Sequence, residues 1–160
     1  LLLDAHHSTL CCACASHDTP ILYQLENDLS SALGRTPIIT EVEFSPSFSE
    51  ELFFIYLNQK QNSRDGIAQN KQHREVAQTL IPDINSLTQE FLQTDSSKNL
   101  NKIIVEHERI ISSIIQQPSV KERLFSDYFG AVKSLGAWGG DFVLVTGNED
   151  TPSYLSLIHI

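Results

Sequence analysis

Lys133-Ser-Leu-Gly136-Ala-Trp138-Gly139-Gly140-Asp141-Phe142-Val-Leu-Val-Thr146 packs three of the chain's seven glycines into five positions and then turns apolar and β-branched. The glycines predict a turn, and Phe142 to Thr146 predicts a buried strand. A strand at this point decides the fold class, because the residues before it follow the 3.6-residue period of helices. The polypeptide must therefore return to a sheet after a run of helices.

Working back from the loop, Ser119-Val-Lys-Glu122 is a capping box and predicts a helix with Leu124, Phe125, Tyr128, Phe129 and Val132 facing inward. On this reading the glycines form a helix-to-strand turn. The helix before it begins near Ser97 and carries Leu100, Ile103, Ile104, His107, Ile110, Ile111, Ile114 and Ile115 on one broad stripe, with Pro118 stopping it. Earlier still, Ser63 caps a helix bearing Ile67, Ala68, Val76, Ala77, Leu80 and Ile81, which Pro82 ends or kinks. A further helical piece places Ile84, Leu87, Phe91 and Leu92 on one face.

Ahead of the helices the period drops to two. Ile21 to Leu25, Pro37 to Phe44 and Phe53 to Leu57 predict strands, the last buried on both faces. Strands, then helices, then a returning strand predict an α+β fold, a small antiparallel sheet with helices covering one face.

At 160 residues the chain is the length of one ordinary domain. Eleven Lys and Arg against 20 Asp and Glu leave a net charge of −9, the wrong sign for a phosphate-backbone or anionic-membrane binder. No apolar run reaches the roughly 18 residues of a membrane span, and mean hydropathy is −0.15. The opening residues lack the pattern of a signal peptide. Cys11, Cys12 and Cys14 lie too close together to form a disulfide framework, so a cytoplasmic protein is expected. The absence of methionine predicts a fragment.

Three segments are candidates for chemistry. The first is the glycine stretch itself: Gly136, Ala137, Gly139 and Gly140 can turn backbone amides toward an anion, or can simply serve a tight turn. Trp138 within it needs a core or a ligand to pack on. The second is Phe53 to Ile67, where a strand delivers Lys60, Ser63 and Arg64 to a helix N-terminus that favours an anionic group, or that is simply a helix cap with solvated flanking charges. The third is His6, His7, Cys11, Cys12, Cys14 and His17. Its one adjacent cysteine pair and one Cys-x-Cys have no downstream partner, so no metal site is expected. His107, on its apolar stripe, reads as a hydrogen-bonded core histidine.

Taken together, the segments resemble the C-terminal part of a GHMP kinase, the superfamily of galactokinase, homoserine kinase and mevalonate kinase. Lys133, Gly136, Ala137, Gly139 and Gly140 match the third motif of that family, while Leu135, Trp138 and Asp141 depart from it. Thr19 to Leu25 (TPILYQL) and Tyr56 to Arg64 (YLNQKQNSR) are similar to the bacterial subgroup named for its Gly-Tyr-Asp-Ile-Ala motif. The resemblance spans roughly residues 13–154. It implies a ferredoxin-like domain, an ATP- and Mg2+-dependent phosphoryl transfer to a small metabolite, and a phosphate loop at Gly136, Ala137, Gly139 and Gly140. Lys60, Ser63, Lys133, Trp138 and Asp141 would then lie on the substrate side.

The same alignment puts Cys11 where the family carries its catalytic Asp, so no catalytic residue is assigned. Family members also have an N-terminal domain with the main ATP loop, which is absent from these residues. The fragment is therefore expected to be inactive alone and to bind neither ATP nor Mg2+ tightly, with the N-terminal kinase domain as its missing partner. Residues 1–12 read as non-native or frame-shifted. Residues 155–160 (LSLIHI) read as translated library adaptor. The competing expectation is a non-catalytic ferredoxin-like binding module in which the glycine turn is structural.

Overall fold

The structure, a computed structural model, describes residues 12–25, 37–58, 74–135 and 141–157. Contacts divide the chain into two compact units, Leu1–Ser45 and Pro46–Ile160. The break falls at the Ser45-Pro46 peptide, within the stretch read from sequence as one region.

In the first unit, β1 (Ile21–Leu25) pairs antiparallel with β2 (Pro37–Glu41), Ile21 opposite Glu41 and Leu25 opposite Pro37. Pro37 has no amide hydrogen and stands where a strand tolerates it, at the first position. The Val42 amide donates to the Pro20 carbonyl at 2.9 Å and extends the ladder by one rung.

The second unit is α+β. Its sheet has the order β3-β5-β4, built from β3 (Leu52–Tyr56), β4 (Val132–Ser134) and β5 (Phe142–Thr146), all neighbours antiparallel. Leu52 faces Thr146 and Tyr56 faces Phe142 across the β3–β5 pair, and Val132 faces Val145 across β4–β5. Between β3 and β4 run α1 (Arg74–Gln93), α2 (Ser97–Ile115) and α3 (Val120–Leu124), and α4 (Thr151–Leu157) follows β5.

The stripe read from sequence makes α2 the central helix. Leu100, Ile103, Ile104, Ile110, Ile111 and Ile114 are all buried, each contributing about 1.5–3 kcal/mol relative to exposure. Its start is set by Ser96, whose side chain accepts the Asn99 amide at 3.3 Å. Its end is set by Gln116 in the left-handed region, φ 53°, ahead of Pro118. Ala77, Leu80, Ile84 and Leu87 of α1 pack on Ile110, Ile111 and Ile114.

Helices cover both faces of the sheet, not one. Phe53 and Ile55 join a cluster with Val143, Val145, Val120, Phe125, Tyr128 and Tyr154. Leu52, one residue out of phase with them, packs with Leu100, Ile104 and Phe48. Since successive strand side chains point to opposite faces, α2 lies on one side and α3, the following turn and α4 lie on the other.

Three further expectations are corrected. Of the two outcomes expected at Pro82, the ending is corrected, because α1 runs through it: packing of its apolar face on α2 holds the helix despite the missing amide. The predicted helix to Val132 stops at Leu124, although the Ser119–Glu122 capping box is present. Leu124 and Phe129 are exposed, 38% and 55%, and Val132 belongs to β4. The spacing of those apolar residues mimics a helix, but Gly130 and the pairing of β4 with β5 prevail. Finally, β3 is not buried on both faces, because Phe54 and Tyr56 are 70% and 55% exposed. Their side chains, with that of Phe142, lie beyond the part of the sheet that α2 covers.

The helix α4 runs three residues past Tyr154. The start expected at Ser63 and the segment around His73 lie outside the described residues. Among the described residues no helix is long and apolar enough to cross a membrane.

Candidate functional site

The strand β4 places the connection at residues 136–141 between two strands. The Leu135 amide donates to the Phe142 carbonyl at 3.3 Å, closing an antiparallel hairpin. The glycine stretch is therefore a strand-to-strand connection and not the helix-to-strand turn expected. The expected helix was replaced by β4, so the loop leads out of a strand as well as into one.

Of the residues expected at the phosphate loop or on the substrate side, Lys133 and Asp141 are described. Gly136, Ala137, Trp138, Gly139, Gly140, Lys60, Ser63 and Cys11 lie outside the described residues. The Asp141 side chain is exposed, and its carbonyl accepts the Leu57 amide at 2.7 Å, tying the end of β3 to the start of β5. Nothing brings the Asp141 carboxylate to Lys133.

Lys133 instead turns toward α2. Its ammonium lies 3.2 Å from His107 Nδ1, 3.4 Å from Glu108 Oε1 and 3.4 Å from the Ser134 carbonyl. The Ser134 hydroxyl donates to the other carboxylate oxygen, Glu108 Oε2, at 2.9 Å. The Glu108 side chain is 5% exposed and that of Lys133 25%. A carboxylate so deep in a core must be paired or hydrogen-bonded to remain charged, and both its oxygens are engaged.

The electrostatics follow from these contacts. Burial pushes the Glu108 carboxyl upward, yet His107, the Lys133 charge and the Ser134 hydroxyl and amide together outweigh it, and the carboxyl titrates below its ordinary value. Burial pulls the Lys133 ammonium below its ordinary range, and the Glu108 carboxylate returns part of the loss.

Sequence reasoning found Lys133 but missed Glu108. The signal was present: Glu108 stands four residues after Ile104 and three before Ile111, so it falls on the apolar stripe. His107, read as the core histidine, is more exposed than its neighbour, 22% against 5%.

Two further polar ties fix the frame around this cluster. Thr146 Oγ1 donates to Asn101 Oδ1 on α2 and accepts the Ala131 amide at 2.8 Å. The Tyr128 hydroxyl donates to the Thr146 carbonyl at 2.8 Å. A cleft of about 870 Å3 on the other side of Glu108, between α2 and α3, is bordered by Arg109, Ser112, Ser113, Lys121 and Glu122. Its charged groups are already engaged, Arg109 with Glu106 at 2.6 Å and Lys121 with the Gly130 carbonyl at 2.6 Å.

The arrangement holds one cation, Lys133, two residues from the closing rung of the hairpin. It can offer positive charge to an anion, or it can keep that charge on Glu108. Among the described residues no three His, Cys, Asp or Glu side chains converge as a metal site. No family model, curated protein or solved structure matches this chain.

Proposed function

We propose that this chain is the C-terminal part of an ATP-dependent small-molecule kinase of the GHMP type, transferring a phosphoryl group to a metabolite hydroxyl or phosphate. The observation that carries the proposal is the position of Lys133. The residue matching the motif's lysine stands on β4, and the glycines that follow it span the connection between β4 and β5. Loops held by a rigid strand pair are where backbone amides are commonly presented to a ligand. In phosphoryl transfer most of the protein's contribution is positioning and charge stabilisation, and this half of the enzyme would contribute both through Gly136, Ala137, Gly139 and Gly140. The finer fold proposed, for residues 20–154, is the ferredoxin-like domain of that family. Here Cys11 stands at the position of the family's acid, and an Asp is expected there, restored by a one-base shift near Cys11.

The test is expression of the genomic frame that includes the sequence upstream of Leu1 and the Asp restored by a one-base shift near Cys11, assayed for ATP-dependent phosphorylation of small alcohols and phosphorylated alcohols. In that enzyme Gly139→Val or Gly140→Val should lower turnover far more than thermal stability, since a donor to the transferring group is worth roughly 3–4 kcal/mol. Normal turnover in the folded fraction, with a lowered Tm, would assign the glycines to a structural turn and favour the binding-module reading.

A further inference from the structure

His107, Glu108 and Lys133 meet in a way that admits two arrangements. An ammonium only donates, so the 3.2 Å contact between Lys133 Nζ and His107 Nδ1 requires Nδ1 to be the acceptor. The imidazole must then be neutral, with its proton on Nε2. The same Nδ1 stands 3.6 Å from Glu108 Oε1, the oxygen that Lys133 also approaches. A protonated Nδ1 would be a donor to that oxygen, and it is as a donor that, against the upward push of burial, His107 lowers the Glu108 carboxyl. The two states exclude each other, because a protonated Nδ1 has no lone pair for Lys133 and repels its charge.

We propose that the three residues form a proton-controlled clamp: a neutral His107 holds Lys133 on α2, and a protonated His107 takes over Glu108 and releases Lys133 to solvent. The charge balance drives the exchange. With His107 neutral, the Glu108 carboxylate and the Lys133 ammonium cancel. Uptake of one proton from water leaves the cluster with a net positive charge around a carboxylate that is 5% exposed. Lys133 is the group able to leave, since its side chain is already 25% exposed and four methylenes can carry the charge outward. Glu108 cannot leave, as Ser134 holds its second oxygen.

Among the described residues, the titratable groups within hydrogen-bond or ion-pair reach of His107 are Glu108 from its own helix and Lys133 from β4. The helix α1 packs on α2 through the apolar Ala77, Leu80, Ile84 and Leu87, and its Asp83 acts on Arg109. Next to β4, β5 presents Leu144 opposite Lys133 and adds no charge. Arg109 is bound to Glu106 by two hydrogen bonds of 2.8 and 2.6 Å. The clamp stands on this geometry and is independent of the kinase reading, since its test needs no nucleotide.

The test is a pH titration of the 160-residue chain by NMR, following the His107 ring carbons and the Lys133 Nζ and side-chain methylene resonances between about pH 5 and 8. The expected result is a step in the Lys133 signals with the same midpoint as His107, and line narrowing on the acidic side as the side chain gains freedom. The variant His107→Gln, whose amide can accept from Lys133 but does not titrate, should abolish the step. Should that variant fold poorly, His107→Asn serves the same comparison, with circular dichroism as the folding control. A flat Lys133 profile in the unsubstituted chain while His107 titrates overturns the proposal. A step that persists in a folded His107 variant overturns it as well.

Discussion

Gly130 and Thr146 approach so closely that a Cβ built on Gly130 would lie 1.9 Å from the Thr146 carbonyl oxygen. That oxygen cannot readily move aside, because it accepts the Tyr128 hydroxyl at 2.8 Å and belongs to the strand paired with β3. Gly130→Ala should therefore lower stability by about 1–3 kcal/mol, the usual cost of overpacking a filled site. A shift of the urea midpoint checks this. A variant as stable as the parent would mean that the Phe129 to Ala131 turn can be rebuilt without the glycine.

Removing Lys133 while keeping Glu108 leaves a buried carboxylate that has lost its cation. Lys133→Met should cost about 1–3 kcal/mol. This is below the cost of breaking a fully buried pair, because Lys133 is 25% exposed and Ser134 still donates to Glu108. Adding Glu108→Leu to Lys133→Met should recover most of the loss, since two apolar residues need no partners. Equilibrium denaturation of the two single variants and the double variant gives the coupling, and strictly additive losses would contradict the ion pair.

The acid limb of stability should carry the signature of Glu108. Its folded pKa lies below the ordinary 4.5, so the contribution is fully present above pH 4.5 and is lost as pH falls through the folded value. Glu108→Gln should flatten the stability profile below pH 4.5 relative to the parent, measured as Tm against pH. Parallel profiles would show that other carboxylates govern acid unfolding.

On the alkaline side the expected marker is Tyr154. Burial, and the hydroxyl's 2.6 Å hydrogen bond to Asp127, push its ionisation up to about 12 from the ordinary 10.0. A raised phenol stabilises the fold fully below pH 10 and loses that contribution as pH rises toward 12. Tyr154→Phe should be the less pH-sensitive protein in that window, followed by phenolate absorbance and by unfolding. A Tyr154 titrating near 10 would break the assignment.

The helices were legible in the sequence where one face was uniformly apolar. The stripe from Leu100 to Ile115 led directly to α2, and Phe142 to Thr146 led to β5. Residues 125–132 were misread because Phe125, Tyr128 and Val132 have helical spacing by coincidence. Two of them serve a turn and one serves β4. Their common feature is one cluster, and a sequence pattern reports membership in a core before it reports the backbone that delivers it. Phe54 and Tyr56 were misread for a related reason: an unbroken apolar run does not say how far the neighbouring helix reaches. The site was half legible. Lys133 stood out beside the glycines, whereas Glu108 was hidden among isoleucines, where a single acid breaks no periodic pattern.

Asn101 and Glu108 are seven residues apart on α2, two turns of one face, and each is tied to a different strand, Asn101 to Thr146 of β5 and Glu108 to Ser134 of β4. Apolar side chains of similar size can trade places when a helix slides by one turn, but these two ties would break together, leaving an amide and a carboxylate unmatched. The pair thus works as two pins through one plate. It gives the helix a single seating on the sheet, and a near-miss docking is rejected at two points rather than corrected gradually at many.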